Sequence, residues 1–423
     1  MISVDGMRPD YITQADAHQL KVPTLRSFMR DGTYADGVVG VLPTVTHPSH
    51  TTLITGVWPA EHGIFNNVHF DPLLKNKDEW YWFAPDIKVP TLWQAASAAG
   101  ITTASIFWPV TVNARGIDYL IPAYPVRTNE DRPLLEAISR PIGYLEKLEQ
   151  TIGPLYIIQP VAAWDERLTQ TAIALIQDKH PGFMTLHLVS LDSIEHATGP
   201  FSPQSNAAME AIDSMIGRLV EAERAANPNA IVVVVSDHGF ASVHMRVNLL
   251  IPFVEAGLIT LAPTKPNAAP AIADWKATLW NADGYAEVRF KDPNDKQTIS
   301  QTFSLLARLG LDPQYGIARI LVHAGVTEGG GDPDATFAIE MKSGFTIGES
   351  LTGNIIIPTP GTGTHGYAPD VPEMQSAFFA LGPGIAAHRD VGAIDMRQIA
   401  PTIASFLGIT LPSAKQPAIN YHP

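Results

Sequence analysis

The feature that most constrains the fold is a pair of short apolar runs separated by a long amphipathic segment. Gly182–Ser190 and Ala230–Ser236 are largely apolar and rich in residues that favour strands buried on both faces. Between them, Pro203–Ala226 carries apolar residues at helical spacing. Because continuous apolar strands alternate with amphipathic helices, we predict an α/β fold with a mostly parallel central sheet flanked by helices.

The remainder of the chain divides into a larger and a smaller part. Further strands are predicted at Val38–Leu42 and Ser376–Leu381. Residues 262–360 differ, because Pro and Gly are frequent there and the apolar segments are short and alternating. We therefore predict a catalytic core formed by residues 1–261 and 361–423, with a smaller α+β cap inserted at residues 262–360.

Asp and His residues recur directly after predicted strands or in a loop rich in Gly and Thr. The residues that share this placement are Asp5, Asp192, His196, Asp237, His238 and His365. In open α/β sheets, ligands bind outside the carboxyl ends of the strands. Asp and neutral His are the ligands that zinc prefers where thiolates are absent. Each position alone is also typical of a helix cap or turn, but the joint occurrence predicts a metal site at one sheet edge.

A threonine-rich segment, Leu42–Gly56, combines a strand end with a helix start. A helix predicted from about Pro48 to Thr55 places Thr46 at its N-terminus. Free backbone N–H groups and the helix dipole at that position favour an anionic phosphate. The same spacing suits a simple helix-capping role for Thr46, so this segment alone leaves both roles open.

The bulk composition excludes several classes of protein. A net charge of −14 and the lack of any Lys/Arg run argue against a DNA or RNA duplex as partner. An acidic protein that handles anionic phosphate needs a local source of positive charge, which metal ions would supply. The absence of Cys excludes disulfides and a cysteine nucleophile. No apolar run is long enough to span a bilayer.

The first residues, Met1–Gly6, read as the end of a buried strand that is unusually short. We therefore expect upstream residues, with a signal peptide among them, in the native protein. On that expectation the protein is periplasmic or secreted, and without such residues it is cytoplasmic. The sequence carries no signal for an oligomeric state.

The order of these motifs resembles the type I phosphodiesterase/nucleotide pyrophosphatase family of the alkaline phosphatase superfamily, over nearly the whole chain. The motifs that carry the resemblance are Ser3–Asp10, Pro43–His50, Thr55–Ile64, Asn67, Phe107–Pro109, Asp192–His196, Asp237–Gly239 and His365–Tyr367. The resemblance implies an alkaline-phosphatase-like core, with the insertion at 262–360 as its cap. It also implies a small-molecule phosphodiester or nucleotide-like substrate.

Carried over position by position, the resemblance implies a site with two Zn²⁺ ions. The implied ligands are Asp192, His196 and His365 for one ion, and Asp5, Asp237, His238 and the Thr46 oxygen for the other. Thr46, rather than Thr44, is implied as the nucleophile, and Asn67 as the residue that hydrogen-bonds a phosphate oxygen. The implied reaction is hydrolysis of phosphodiester or pyrophosphate bonds through a phospho-threonine intermediate on Thr46.

The substrate pocket is where the chain departs from the family. Nucleotide-cleaving relatives often carry Phe after the nucleophile, where this chain has His47, so a preference for nucleotides stays open. His47, Asn67 and Trp108 are the candidate substrate-binding residues. Tyr124 is a further aromatic candidate, although aromatic residues are more often part of a core. His50 is expected to orient the nucleophile loop.

Two other functions are open at this point. Phosphonoacetate hydrolases, which cleave a C–P bond, resemble this chain in the threonine nucleophile and the metal set. An inactive binding protein that retains the fold is an alternative of a different class. Such proteins usually lose a ligand or the nucleophile, whereas all seven protein ligands implied by the resemblance are present here.

Overall fold

The structure is a computed structural model that describes residues 1–76, 79–124, 126, 128, 130–155, 161–263 and 269–422, without the side chain of Ala162. The strands are β1 Ile2–Val4, β2 Thr33–Tyr34, β3 Gly37–Val39, β4 Thr103–Ile106, β5 Tyr119–Ile121, β6 Phe183–Leu188, β7 Val232–Val235, β8 Ala241–Val247, β9 Ile259–Leu261, β10 Ile272–Trp275, β11 Ala277–Ala282, β12 Tyr285–Phe290, β13 Ile317–Val322, β14 Phe337–Met341, β15 Phe345–Ile347, β16 Ile356–Thr364, β17 Phe378–Leu381, β18 Arg389–Asp390 and β19 Ala393–Asp395.

The α-helices are α1 Asp10–Thr13, α2 Pro23–Asp31, α3 Thr46–Thr55, α4 Pro59–His62, α5 Leu92–Ala98, α6 Arg132–Ile138, α7 Tyr144–Ile152, α8 Val161–Lys179, α9 Ser190–Thr198, α10 Pro203–Ala226, α11 Leu250–Glu255, α12 Lys296–Leu311, α13 His323–Glu328 and α14 Ile399–Phe406. Short 3₁₀ turns are found at Ala84–Asp86, Pro313–Tyr315, Pro372–Met374 and Met396–Gln398. In the part of the chain that the structure describes, we find no helix with the length and apolar character needed to cross a membrane.

An eight-stranded sheet lies at the centre of the molecule, in the order β18-β2-β17-β7-β1-β6-β4-β5. The five strands from β7 to β5 are parallel, and β17 runs antiparallel to both of its neighbours. The predicted α/β class with a mostly parallel sheet is therefore confirmed.

Alternation along the strands divides the core between the two faces of the sheet. Val234 of β7 packs in a cluster with α2, α8 and α10, whereas Val233 and Val235 pack with α3, α5 and α14 on the other face. Because helices cover both faces, the central strands need apolar side chains in both directions. This requirement explains why they appear in the sequence as continuous apolar runs.

Two predicted elements show where local signals succeed and fail. α10 has the predicted limits, because Pro203 suits the first helical position and the Ser202 hydroxyl accepts from the Ser205 N–H. By contrast, β3 ends at Val39, and it pairs with β19 in a separate two-stranded sheet. The prediction of a strand as far as Leu42 was wrong, because that side chain is buried in a loop and apolar composition records burial rather than strand pairing.

The later part of the chain forms its own sheets and its own apolar cluster. β11, β12, β14 and β13 form a four-stranded antiparallel sheet, and α12 contributes to the cluster that packs there. β15, β8 and β16 form a separate three-stranded sheet. The division into core and cap at residues 262 and 360 stays a prediction, since β9 and β10 pair across the first limit and β16 runs through the second.

Candidate active site

Three neighbouring parallel strands deliver acidic residues to one edge of the central sheet. Asp5 directly follows β1, and Asp192 lies in the first turn of α9 after β6. Asp237 is separated from the end of β7 by one residue. Because β7, β1 and β6 are adjacent and parallel, their carboxyl ends lie side by side. The edge predicted from the sequence is therefore where the structure brings these carboxylates together.

Two overlapping clusters of potential metal ligands form at this edge. Within each cluster the ligand atoms all lie within 4.8 Å of one another; the outer cluster is Asp192, His196 and His365, and the inner cluster is Asp5, Asp192 and His238. The outer cluster is the set predicted for one zinc ion. Asp237, predicted for the other ion, borders the inner cluster, because its Oδ2 atom lies 3.2 Å from His238 Nε2.

Backbone carbonyl groups fix the orientation of the three histidine rings. Each ring places Nδ1 near one carbonyl oxygen: His196 at 3.2 Å from Gly363, His238 at 3.0 Å from Gly239, and His365 at 3.1 Å from Thr44. A carbonyl oxygen only accepts hydrogen bonds, so in the neutral rings Nδ1 carries the hydrogen and Nε2 presents a lone pair. This is the orientation of a metal-ligating histidine.

Carboxylate oxygens at the centre of the clusters have no hydrogen-bond partner among the described residues. Asp5 Oδ1, Asp192 Oδ1 and Asp237 Oδ2 are buried and unpartnered, and His238 Nε2 lies 3.4 Å from Asp5 Oδ1. Burial raises the pKa of Asp237 to about 7, and burial together with the nearby Asp237 raises the pKa of Asp5 well above its usual value. A cation between these oxygens and the imidazole lone pairs would satisfy all of them, so the residues present fit a metal site.

A buried histidine that the sequence interpretation did not select supports Asp5. His187 lies on β6 opposite Ser3; its Nε2 is 3.0 Å from Asp5 Oδ2, and its Nδ1 is 3.1 Å from Phe107 O. Because Oδ2 lies against this ring, Oδ1 is the oxygen directed to the inner cluster. The available signal in the sequence was a single ionisable residue within the strand Phe183–Leu188.

His50 contacts both Asp237 and the loop that it is predicted to orient. Its Nδ1 lies 2.9 Å from Thr46 O and 3.4 Å from Asp237 Oδ2. The other Asp237 oxygen, Oδ1, accepts from the Gly6 N–H at 3.1 Å. One buried ring therefore links the start of α3 to a carboxylate of the site.

Thr46 is the first residue of α3 and follows Val45, which has extended backbone geometry. No side-chain hydrogen bond caps this helix, so the alternative helix-capping role for Thr46 is not seen. Thr46 Oγ1 lies 3.4 Å from His238 Nε2, and Thr46 is the only residue of 41–50 that is partly exposed. The hydroxyl therefore lies at a helix N-terminus, beside the inner cluster and accessible to a substrate.

Thr44, two residues earlier, ties the nucleophile loop to the loop of His365. Its side chain is fully buried, and Oγ1 donates to Tyr367 O at 2.7 Å. Its own carbonyl oxygen accepts from His365 Nδ1 at 3.1 Å and from the Gly366 N–H at 3.0 Å. Thr44 therefore has a structural role that is distinct from that of Thr46.

Asn67 lies against the start of α3. Its Oδ1 accepts from the His47 N–H at 2.8 Å, so the NH₂ group of the amide is the part directed to other acceptors. Fewer backbone N–H groups are therefore free at the start of α3 than the sequence predicts. The His47 N–H already donates to Asn67, and Pro48 has no N–H group. Asn66 adds a link to β11: its Oδ1 accepts from the Asn67 N–H and its Nδ2 donates to Asn281 O at 2.9 Å.

An aromatic wall lies beside the nucleophile loop. The His47 ring centroid is 5.1 Å from that of Trp80 and 6.2 Å from that of Trp82, and Tyr124 contacts Trp82 at 5.6 Å. The two tryptophans stack at 5.8 Å with ring planes 22° apart. Burial lowers the pKa of His47 to about 3, so its ring is neutral. The tryptophan pair was missed, although the run Trp80–Phe83 is a visible aromatic signal.

The structure corrects the prediction that Trp108 binds substrate. Its side chain is fully buried and packs edge-on against His50 and Trp93, with ring centroids 4.8 and 6.2 Å apart. A large aromatic side chain gains most from such complete burial. Trp108 therefore supports His50 from behind and does not line the aromatic wall.

The helix that carries two residues of the outer cluster is anchored from a neighbouring helix. Asp165 of α8 is fully buried and accepts from the N–H groups of Val189 and Ser190 at 2.9 and 3.0 Å. A carboxylate at this position stabilises the N-terminus of α9. Asp192 and His196 then lie one helical turn apart on the same face.

Comparison with known proteins places this arrangement in a family. The model of the type I phosphodiesterase/nucleotide pyrophosphatase family matches residues 1–302. Human ectonucleotide pyrophosphatase/phosphodiesterase family member 1 is 27% identical over 252 residues, which cover 56% of this chain and 23% of that protein. Human family member 5 is 22% identical over 431 aligned residues, which cover 97% of this chain and 74% of that protein. This chain thus spans about a quarter of the length of family member 1.

A solved structure with the same fold is that of an inactive variant of murine ectonucleotide pyrophosphatase/phosphodiesterase 5 in complex with AMP. It superposes with a TM-score of 0.68 at 20% identity, over 99% of this chain and 96% of the murine chain. This likeness confirms the predicted alkaline-phosphatase-like fold, and the match to the family model covers well over half of the chain. The chain therefore belongs to the type I phosphodiesterase/nucleotide pyrophosphatase family.

Proposed function

We propose that this chain is a zinc-dependent hydrolase that cleaves phosphodiester or pyrophosphate bonds through a phospho-threonine intermediate on Thr46. The observation that carries the proposal is the position of the Thr46 hydroxyl, which is partly exposed at the start of α3 and 3.4 Å from His238 Nε2. Family membership supports the reaction class, because the family comprises phosphodiesterases and nucleotide pyrophosphatases.

The proposed metal site uses residues from both clusters. Asp192, His196 and His365 would hold one zinc ion, and Asp5, Asp237, His238 and the Thr46 oxygen would hold the other. Nitrogen and carboxylate ligands without thiolate suit zinc. When bound, such ions supply Lewis-acid chemistry, which neutralises phosphoryl oxygens and favours the ionised form of a coordinated hydroxyl.

In the proposed first step, the Thr46 oxygen attacks phosphorus from the side of α3. The bond from Oγ1 to phosphorus forms as the bond from phosphorus to the leaving oxygen breaks. Thr46 gives up its hydroxyl proton, and the leaving oxygen takes up a proton as it departs. The positive end of the α3 dipole and the NH₂ group of Asn67 would stabilise the charge on the phosphoryl oxygens.

In the second step, water attacks the phosphorus of the phospho-threonine. The bond between phosphorus and Thr46 Oγ1 breaks, the product leaves as a phosphate monoester, and Thr46 regains its proton. His50 supports both steps by holding the Thr46 carbonyl at 2.9 Å, which fixes the start of α3 relative to Asp237. One water molecule is consumed in each cycle, as hydrolysis requires.

We propose a small-molecule phosphodiester or nucleotide-like substrate. The relatives are pyrophosphatases and phosphodiesterases by name, and the murine structure with the same fold contains AMP. In this chain, Trp80 and Trp82 provide a partly exposed aromatic surface beside His47, and a planar group attached to the phosphate would stack there.

A panel of substrates tests this function. We expect hydrolysis of bis(p-nitrophenyl) phosphate and of a nucleotide pyrophosphate, loss of both activities in EDTA, and their return with zinc. Phosphate release from phosphonoacetate, with neither ester cleaved, would favour the C–P hydrolase instead. Absence of turnover, together with fewer than two metal ions per chain by elemental analysis, would favour an inactive binding protein.

A further inference from the structure

Asn66 and Val68, the residues on either side of Asn67, are both held by β11. The Asn66 side chain donates from Nδ2 to Asn281 O at 2.9 Å. The Trp280 side chain donates from Nε1 to Val68 O at 3.1 Å. Because β11 is the edge strand of its four-stranded sheet, backbone groups on its outer side are available to bond with other parts of the chain. Two consecutive residues of β11 therefore fix the short segment that carries Asn67.

The side chain of Asn67 is fixed at both of its ends. At the backbone end, the Asn67 N–H donates to Asn66 Oδ1 at 2.7 Å, and the Asn67 carbonyl accepts from the Tyr81 N–H at 3.0 Å. At the amide end, Oδ1 accepts from the His47 N–H at 2.8 Å. These bonds restrict both dihedral angles of the side chain and hence the direction of its NH₂ group. The amide is thereby held beside the start of α3, where Thr46 lies.

Asn66 is buried, and both functional groups of its side chain are used. Oδ1 accepts from Asn67 and Nδ2 donates to Asn281, so one side chain joins the two residues. Asn281 is fixed in its turn, because its Oδ1 accepts from the Asp283 N–H at 3.0 Å and its Nδ2 donates to Ile347 O at 3.3 Å. The support of Asn67 therefore extends through β11 to β15.

Trp280 presents its indole N–H to Val68 from a buried and charged base. The Arg289 guanidinium carbon lies 4.9 Å from the centroid of the Trp280 ring. Arg289 is itself paired with Glu287, at 2.5 Å, and with Asp332. Glu287 lies opposite Trp280 on the neighbouring strand, β12. Because these groups are buried together, they restrict the position of the indole ring.

The direction of the Asn67 amide matters for the proposed first step. In that step, its NH₂ group stabilises the charge on the phosphoryl oxygens, and such donors are most effective when they are already in place. A misplacement of about 1 Å can lower a rate about a hundredfold. A residue that fixes the Asn67 amide therefore affects the rate without a contact to the substrate.

We propose that Asn66 is a positioning residue for the reaction, which holds the Asn67 amide against the phosphoryl group by linking it to the edge of β11; this inference rests on the proposed function. Asn66 acts through Asn67, and Trp280 gives the same segment a second point of support. Loss of the Asn66 side chain should then lower the rate only as long as the Asn67 amide is present.

A double-mutant cycle with bis(p-nitrophenyl) phosphate tests whether Asn66 acts through Asn67. Asn67→Ala should lower kcat about a hundredfold, because it removes a donor to the transition state. Asn66→Ala should lower kcat about tenfold and leave KM within about twofold, because a misplaced donor is lost mainly in the transition state. The double variant should match Asn67→Ala within about twofold. Effects that multiply to about a thousandfold would overturn the proposal.

Asn248 supplies a matched control, because it is buried, donates from Nδ2 to Asn354 O at 2.8 Å and accepts from the Ser350 N–H at 3.3 Å. Any effect of Asn248→Ala on kcat should multiply with that of Asn67→Ala. Trp280→Phe keeps an aromatic ring and removes the N–H, so it tests the same support if Asn66→Ala does not fold. It should lower kcat about threefold, and only when Asn67 is present.

Nuclear magnetic resonance of protein with isotope-labelled asparagine gives a readout that does not depend on turnover. The side-chain NH₂ resonances of Asn67 are identified by their loss in Asn67→Ala. They should shift in Asn66→Ala and stay in place in Asn248→Ala. Unchanged resonances in Asn66→Ala would overturn the positioning role and leave the proposed function standing. If the unaltered, zinc-loaded protein cleaves no diester, the proposed function fails, and the positioning role fails with it.

Discussion

Thr44 and Thr46 are chemically identical side chains in two different environments. The Thr44 hydroxyl is buried and bonded to Tyr367 O at 2.7 Å, so it is not available to a substrate. The Thr46 hydroxyl is accessible and directed to His238 Nε2 at 3.4 Å. A nucleophile must be both exposed and beside the groups that activate it, and of these two residues Thr46 alone meets both conditions.

A matched pair of Val substitutions separates the two roles, because Val keeps the shape of Thr and removes its hydroxyl. Thr46→Val should reduce diester hydrolysis by about a thousandfold or more while most of the metal stays bound. Thr44→Val should keep turnover but lower the free energy of unfolding by about 1–3 kcal/mol, since Tyr367 O loses its donor. Initial rates, elemental analysis and urea unfolding measure these effects. Full turnover by metal-loaded Thr46→Val would contradict the assignment.

Single residues of the site were predictable where the signal is local. Strand-end positions and motif order selected the residues that the structure gathers into the two clusters. His187 was not selected, because its contact with Asp5 joins residues 182 positions apart and no local pattern records it. Trp108 was wrongly predicted to bind substrate for a related reason. The aromatic character of a residue does not distinguish a core side chain from one that lines a pocket.

At the scale of elements, α3 and α4 are joined by the buried ring of His62. Its Nδ1 accepts from the Ile64 N–H at 3.1 Å, so its Nε2 carries the hydrogen and donates to Thr52 Oγ1 at 3.1 Å. Thr52 in turn donates to Val57 O at 3.0 Å. The bonding pattern requires a neutral ring, and burial lowers the pKa of His62 to about 3.

This connection predicts a loss of stability in acid. The pKa of His62 is 6.5 in an unperturbed chain and about 3 in the folded protein, so the unfolded chain binds the proton first as pH falls. The stabilisation of the fold by the neutral His62 ring is complete above pH 6.5. It is lost as the pH falls toward 3, by on the order of 1 kcal/mol per pH unit.

Urea unfolding in buffer with a chelator measures this effect without a contribution from metal binding. His62→Gln should reduce the slope of unfolding free energy against pH by about one proton, because glutamine does not titrate. Its amide retains a donor and an acceptor for the same partners. Identical slopes for the variant and the unaltered protein would show that His62 does not cause the acid sensitivity.

At the scale of the whole molecule, the site joins distant parts of the chain. The candidate ligands come from the ends of three central strands and from the loop after β16, which Thr44 ties to the nucleophile loop. A cation bound there would connect segments that separate on unfolding. Metal binding should therefore stabilise the entire fold and not only the site.

Zinc should raise the melting temperature, and EDTA should lower it. A ligand at a thousandfold excess over its Kd stabilises the folded state by about 4 kcal/mol. His365→Ala should remove most of the zinc-dependent shift, because it deletes one residue of the outer cluster. Asp274→Asn, which alters an exposed ion pair with Lys291, should retain the shift. Thermal melts with and without EDTA make the comparison. A melting temperature that is insensitive to both EDTA and zinc would argue against the site.

The fold class of the whole molecule could be predicted from the sequence, whereas the boundaries between its parts could not. Apolar strands alternating with helices were enough to predict the α/β class, because covering both faces of a parallel sheet imposes that pattern. The predicted limits of the cap rest on composition alone. Pairings such as Phe345 with Met245, which join β15 to β8, depend on contacts a hundred residues apart and leave no local signal.

In the proposed reaction, hydrolysis takes place by two displacements at phosphorus, with Thr46 as the first nucleophile. Each in-line displacement inverts the configuration of phosphorus, so two in succession restore it. The most direct measurement is the configuration of the product formed from a chiral phosphorothioate diester in oxygen-18-labelled water. Two successive displacements predict retention of configuration. Inversion would show that water attacks the substrate directly and would contradict a phospho-threonine intermediate.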